Sequence, residues 1–142
     1  MTDASGAPAP KLVLLVDDDE SLLDLMDHVV KKEGFRTERA EDGIEALAKV
    51  AALEPDAIVL DFMLPSMGGY EALRELQSRG FGHIPIVVVT GRAMDAKSIE
   101  MVRQEPNVKD FLQKPVRPAM LAAALQRLLN PPTEPGPDGS AG

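Results

Sequence analysis

Three aspartates, a threonine and a lysine carry the chemistry available to this sequence. Asp17 and Asp18 follow the apolar run 12–16, Asp61 closes the run 57–60, Thr90 closes the run 84–89, and Lys114 follows the stretch 108–112. If these runs are neighbouring strands, the side chains at their ends share one pocket. Two unit charges about 4 Å apart interact by roughly 4 kcal/mol at an effective dielectric of 20, so a carboxylate cluster calls for a cation. Mg²⁺ suits a site with few carboxylates, because it takes oxygen ligands, keeps several waters and accepts a substrate phosphate oxygen. Lys114 would add a second positive charge. Metal, ammonium and hydroxyl around one carboxylate are the parts needed for phosphoryl transfer, in which positioning and charge stabilisation dominate. Asp61 would then be the nucleophile, passing through an acyl phosphate. Thr90 would donate a hydrogen bond to one phosphoryl oxygen and Lys114 would pair with another.

The elements that must position these groups are legible from their patterning. The runs 12–16 (LVLLV), 57–60 (AIVL) and 84–89 (IPIVVV) do not alternate polar with apolar residues, as expected of central strands covered on both faces. Residues 35–40 (FRTERA) mix charge into the pattern and read as an edge strand, and 108–112 (VKDFL) read as a fifth. Between them lie five helical stretches. Leu22, Leu25, Met26, Val29 and Val30 form one face between Glu20 and Lys32, which Gly34 ends. Asp42 and Glu45 have capping-box spacing ahead of Ile44, Leu47, Ala48 and Ala51, and Pro55 closes that helix. Tyr70, Leu73 and Leu76 mark a third helix ending near Gly80, Ile99 and Val102 a short fourth stopped by Pro106, and Met120, Leu121, Ala124, Leu125 and Leu128 a fifth. Strands alternating with helices predict an α/β fold, a doubly wound five-stranded parallel sheet of flavodoxin-like order 2-1-3-4-5 flanked by five helices. In such a sheet ligands bind beyond the carboxyl ends of the strands, where strand order reverses. Asp17, Asp18, Asp61, Thr90 and Lys114 all fall there.

Composition narrows the classes. A chain of 142 residues supports one domain with a core, read as 11–129, with 1–10 a disordered leader and 130–142 a disordered Pro/Gly-rich tail. A net charge of -8 argues against nucleic-acid and anionic-membrane surfaces. There is no cysteine, hence no disulfide or thiolate metal site. No secretory signal or bilayer-length apolar stretch is present, so the expected compartment is the cytoplasm. His28 and His83 lack metal-ligand partners and read as surface or structural residues. Taken singly, Asp17 and Asp18 would serve as caps, Thr90 as a strand end and Lys114 as a solvated cation, and Asp19 and Glu20 are best read as cap and first-turn acids. Enzymes fit less well. A haloacid-dehalogenase-type phosphatase would want an aspartate where Met63 stands, a nucleotide hydrolase would want a P-loop, and an FMN phosphate would be repelled by the acidic loop after the first strand.

Over residues 11–129 the sequence resembles the receiver domain of two-component response regulators. The resemblance rests on LLVDDDE, LDFMLPSMGG, VVVTG and DFLQKP in that order. It implies that Asp61 is the phosphoacceptor, fed by a phosphohistidine on a histidine kinase or phosphotransfer protein. It implies Mg²⁺ held by Asp18 and Asp61 directly, by Asp17 through water and by the backbone carbonyl of Met63. It further implies a cis bond from Lys114 to Pro115, a turn through Pro65, Gly68 and Gly69, and a switch made by Thr90 and Phe111, although Phe111 also fits simple core packing. Met63 and Arg92 occupy positions that tune phosphoryl lifetime, and Met63, a poor partner for an attacking water, should make that state long-lived.

Three departures bear on output. The segment between Thr90 and Lys114 is slightly long, EPNVKDF replaces the common Gly-Ala turn, and Gly91 follows Thr90. The expected function is a stand-alone receiver that switches its binding to a downstream protein partner, with the fourth helix, fifth strand and fifth helix as the contact or homodimer face; the alternative is a receiver-like scaffold that binds without phosphorylation. Such a chain would catalyse its own aspartyl phosphorylation without being a turnover enzyme.

Overall fold

The computed structural model describes residues 10–64, 67–91 and 95–130. The expected leader and tail, Pro65 and Arg92 lie outside the described residues, apart from Pro10 and Asn130. Five strands and five helices alternate: β1 (Leu12–Val16), α1 (Glu20–Lys32), β2 (Arg36–Ala40), α2 (Gly43–Leu53), β3 (Ala57–Asp61), α3 (Gly69–Ser78), β4 (Ile86–Thr90), α4 (Ala96–Arg103), β5 (Val108–Gln113) and α5 (Pro118–Leu129). All pairings are parallel, in the order β2-β1-β3-β4-β5, so the flavodoxin-like, doubly wound expectation holds.

The uninterrupted apolar runs are explained by two cores, one on each face. Val13, Leu15, Val59, Val87 and Val89 pack with α1 and α5. Their alternates Leu14, Val16, Ile58, Leu60, Ile86 and Val88 pack with α2, α3 and Val102 of α4. Successive strand side chains point to opposite faces, so a strand covered twice must be apolar throughout. The charged β2 is an edge strand, as expected.

Local signals set the helix ends. Asp19 caps α1, accepting from the Leu22 N–H, and Asp42 caps α2, accepting from the Glu45 N–H. The face of α2 differs from the sequence reading: Gly43, Ala46, Leu47 and Val50 are buried, whereas Ile44, Ala48 and Ala51 are exposed. The rotation follows from the start of the helix, where a Cβ at Gly43 would lie 2.8 Å from the Cβ of Met67. The contact admits only glycine, so Gly43 faces inward and Ile44 faces out. The same kind of shift puts Leu23 rather than Leu25 in the core beneath α1, and Leu129 rather than Met120 beneath α5.

Candidate functional site

The sheet register brings the acids together. Val16 pairs with Leu60, so the next residues, Asp17 and Asp61, leave adjacent strands side by side. Asp61 is itself level with Val89 of β4, one residue before Thr90. Thr90 is level with Gln113 of β5, and the Lys114 N–H donates to the Thr90 carbonyl at 2.8 Å. Asp18 is exposed at the rim, while Asp17, Asp61 and Thr90 are buried.

The two buried aspartates are oriented alike. Each uses Oδ1 to accept the main-chain N–H two residues on, Asp17 from Asp19 at 2.8 Å and Asp61 from Met63 at 3.1 Å. These are Asx-type turns, a local habit of aspartate at strand ends. Both Oδ2 atoms face Lys114, whose Nζ donates a hydrogen bond to Asp61 at 3.2 Å and lies 3.4 Å from Asp17. Asp17 Oδ2 is buried and has no hydrogen-bond partner among the described residues. The Lys114–Pro115 peptide is cis, as the resemblance implied.

Burial pushes the Asp17 carboxyl up to about 6; the Asp19 N–H opposes this, the Asp61 charge adds to it, and Lys114 again opposes it. For Lys114, burial alone would lower the ammonium, but Asp61 and Asp17 outweigh burial and hold it above its ordinary value. Taking a charge out of water disfavours it, whereas an opposite charge close by favours it.

Asp17, Asp18 and Asp61 each offer an oxygen within 4.8 Å of the other two. An all-carboxylate oxygen set, in which the buried Asp17 Oδ2 makes no hydrogen bond among the described residues and is held by the charge of Lys114 at 3.4 Å, fits a hard divalent cation of the Mg²⁺ type. Cap duty, the plain alternative for Asp17 and Asp18, falls instead to Asp19.

Thr90 and Phe111 lie on the side of the site toward β5. Phe111 is half-buried in the second core, and the guanidinium carbon of Arg103 lies 4.6 Å from its ring centroid. Nothing in the sequence marks Arg103, because the contact runs between α4 and β5. Glu105 and Asn107, also unmarked, are buried polar residues in the segment that replaces the Gly-Ala turn. The Asn107 side chain accepts from Gln77 and donates to the Ile84 carbonyl, which ties the start of β5 to α3. Met63 is 60 % exposed beside Asp61. His28 and His83 are both exposed, and neither joins the acidic cluster.

A family model described as the response regulator receiver domain matches residues 13–126. The chain belongs to that family. Among curated relatives of this receiver domain, the response regulator MprA of Mycobacterium sp. (strain KMS) is 37% identical over 134 residues, covering 93% of this chain and 56% of the relative. The chain thus spans about half the length of the curated relatives it matches. Among solved structures, the chemotaxis protein CheY4 of Vibrio cholerae is similar with a TM-score of 0.77 and 30% identity, over 85% of this chain and 100% of that one. The receiver domain of a signal transduction histidine kinase from Syntrophus aciditrophicus is similar with a TM-score of 0.75 and 27% identity, over 84% of this chain and 90% of that one.

Proposed function

We propose that this receiver domain is a phosphorylation switch in which Asp61 accepts a phosphoryl group from a phosphohistidine on a histidine kinase or phosphotransfer protein. The observation that carries this reading is the setting of Asp61: 2 % exposed, fixed at Oδ1 by the Met63 N–H and at Oδ2 by Lys114. A carboxylate oxygen of Asp61 attacks phosphorus, the P–O bond forms as the P–N bond breaks, and the imidazole departs. Lys114 is already placed to balance charge added at Asp61, and its preorganisation avoids reorganisation at the moment of transfer. Thr90, anchored through its carbonyl to Lys114, is assigned the hydrogen bond to the transferred group. Phe111 is assigned the change of rotamer that reports it to a partner.

Mg²⁺ would be held by Asp18, Asp61 and the Met63 carbonyl, with Asp17 one water away, and when bound it would neutralise charge on the phosphoryl oxygens. The convergence of Asp17, Asp18 and Asp61 oxygens within 4.8 Å of one another supports that assignment. The domain reads as 11–129, with partner contacts on the face formed by α4, β5 and α5, where Met101 and Met120 are exposed; a second copy of the chain is one candidate there. Among the described residues no helix is long and apolar enough to cross a membrane, which fits the proposed cytoplasmic setting. A stand-alone regulator and a longer one carrying this domain are both compatible with the length of the matched relatives.

Mass spectrometry after incubation with acetyl phosphate, with and without Mg²⁺, tests the assignment. The expected result is a Mg²⁺-dependent gain of one phosphoryl group that Asp61→Asn abolishes. Failure to accept the group both from acetyl phosphate and from a phosphohistidine donor, in a folded protein, would favour the phosphorylation-independent scaffold.

A further inference from the structure

Phe111 is the one residue shared by the walls of two surface clefts among the described residues. The larger, about 380 Å³, runs past Leu112, Gln113, Lys114, Pro115, Arg117 and Met120. The smaller, about 220 Å³, is bounded by Arg103, Val108, Lys109 and Asp110. Phe111 therefore borders open space in both clefts while it packs only half-buried against the second core. What lies over its face is the Arg103 guanidinium, 4.6 Å from the centroid. A cation on the face of an aromatic ring is attracted by the ring quadrupole.

Arg103 is committed to this contact. Among the described residues no carboxylate pairs with it, and the nearby acid Asp110 is engaged by Arg127 and by the Phe111 N–H. Lys109, which also lines the small cleft, is a like charge and offers the guanidinium no partner. The contact joins the last residue of α4 to the middle of β5. Of the five helices, α4 is the one with a single buried side chain, Val102. A contact at the end of so lightly held a helix is a large share of what positions it.

We infer that Arg103 is a positioning residue that holds Phe111 in its resting rotamer and so sets how readily the unphosphorylated domain enters its activated conformation. The inference rests on the reading of Phe111 as the switch. A rotamer change that carries the ring out of reach of the guanidinium gives up this contact, and a contact made in one state shifts the equilibrium toward that state. The ring is coupled to the site through a short path: Lys114, three residues beyond Phe111, is hydrogen-bonded through its N–H to Thr90 and through its ammonium to Asp61.

The experiment labels the chain with 4-fluorophenylalanine and follows Phe111, identified by comparison with Phe111→Leu, by ¹⁹F NMR. It does so in the natural protein, Arg103→Gln and Arg103→Lys, and measures the initial rate of phosphoryl uptake from acetyl phosphate for each. A surface cation–π contact corresponds to about a two- to fivefold population ratio. Arg103→Gln should move the Phe111 rotamer equilibrium by that factor and raise the uptake rate alike, with Arg103→Lys between. An unmoved Phe111 resonance in Arg103→Gln overturns the proposal, as does a moved resonance with an unchanged rate in a chain that does take up phosphate. If no variant takes up a phosphoryl group from any donor, the phosphoacceptor reading fails instead, and the resonance alone then decides whether Arg103 positions the ring.

Discussion

The Lys114 ammonium lies 3.2 Å from the Asp61 carboxylate across 53 positions of sequence, and it also lies 3.4 Å from Asp17. One lysine thus offsets the repulsion between two buried acids. Lys114→Met should lower stability at pH 7.5 by about 1–3 kcal/mol, the range for leaving a buried polar group unpartnered. Added Mg²⁺ should restore more stability to the variant than it adds to the natural protein, because the cation then fills the place of the ammonium charge. Urea denaturation at several Mg²⁺ concentrations measures both, and equal Mg²⁺ effects in the two proteins would contradict this account.

Asp17 makes stability depend on pH in a direction unusual for a carboxylate. Its folded value, about 6, lies above the ordinary 3.8, so between those values the folded chain binds more protons than the unfolded one. Its contribution is full below 3.8 and lost as pH rises through about 6. Asp17→Asn, which keeps an acceptor for the Asp19 N–H, should therefore be more stable than the natural protein at pH 7.5, by roughly 2–3 kcal/mol at the 1.36 kcal/mol that one pKa unit represents. The difference should shrink toward pH 4. Thermal melts across that range in metal-free buffer are the measurement.

Gly68 and Gly69 are adjacent but not equivalent. A Cβ on Gly69 would lie 2.7 Å from the Cα of Phe62, whereas one on Gly68 would meet nothing within 4 Å. Gly69→Ala should cost about 1–3 kcal/mol, as overpacking against backbone does, and Gly68→Ala should be within about 0.5 kcal/mol of the natural protein. Chemical denaturation of the two variants would separate them, and equal costs would refute the packing argument.

The exposed Met63 side chain offers an attacking water no strong hydrogen-bond partner beside Asp61. Met63→Asn should shorten the phosphoryl lifetime on the order of tenfold, which corresponds to about 1.4 kcal/mol of added transition-state stabilisation. Loss of the mass increment with time after removal of the phosphodonor gives the rate, and an unchanged rate would show that Met63 does not govern it.

By itself the sequence determined the elements, their order and the residues at the strand ends. Apolar runs, capping acids such as Asp19 and Asp42, and helix-ending Gly34 and Gly80 act within a few residues of chain, so their effects are legible without a fold. Tertiary structure decided the rest. The pairing of Val16 with Leu60 puts Asp17 and Asp61 side by side, and burial there raises the Asp17 value. The close approach of Gly43 to Met67 turns Ile44 outward, against the face that spacing alone implied. Arg103 meets Phe111 only because α4 ends over β5. Register, desolvation and contacts between elements depend on what packs against what. A periodicity of two or of 3.6 residues says which positions can share a face; it leaves open what that face will meet.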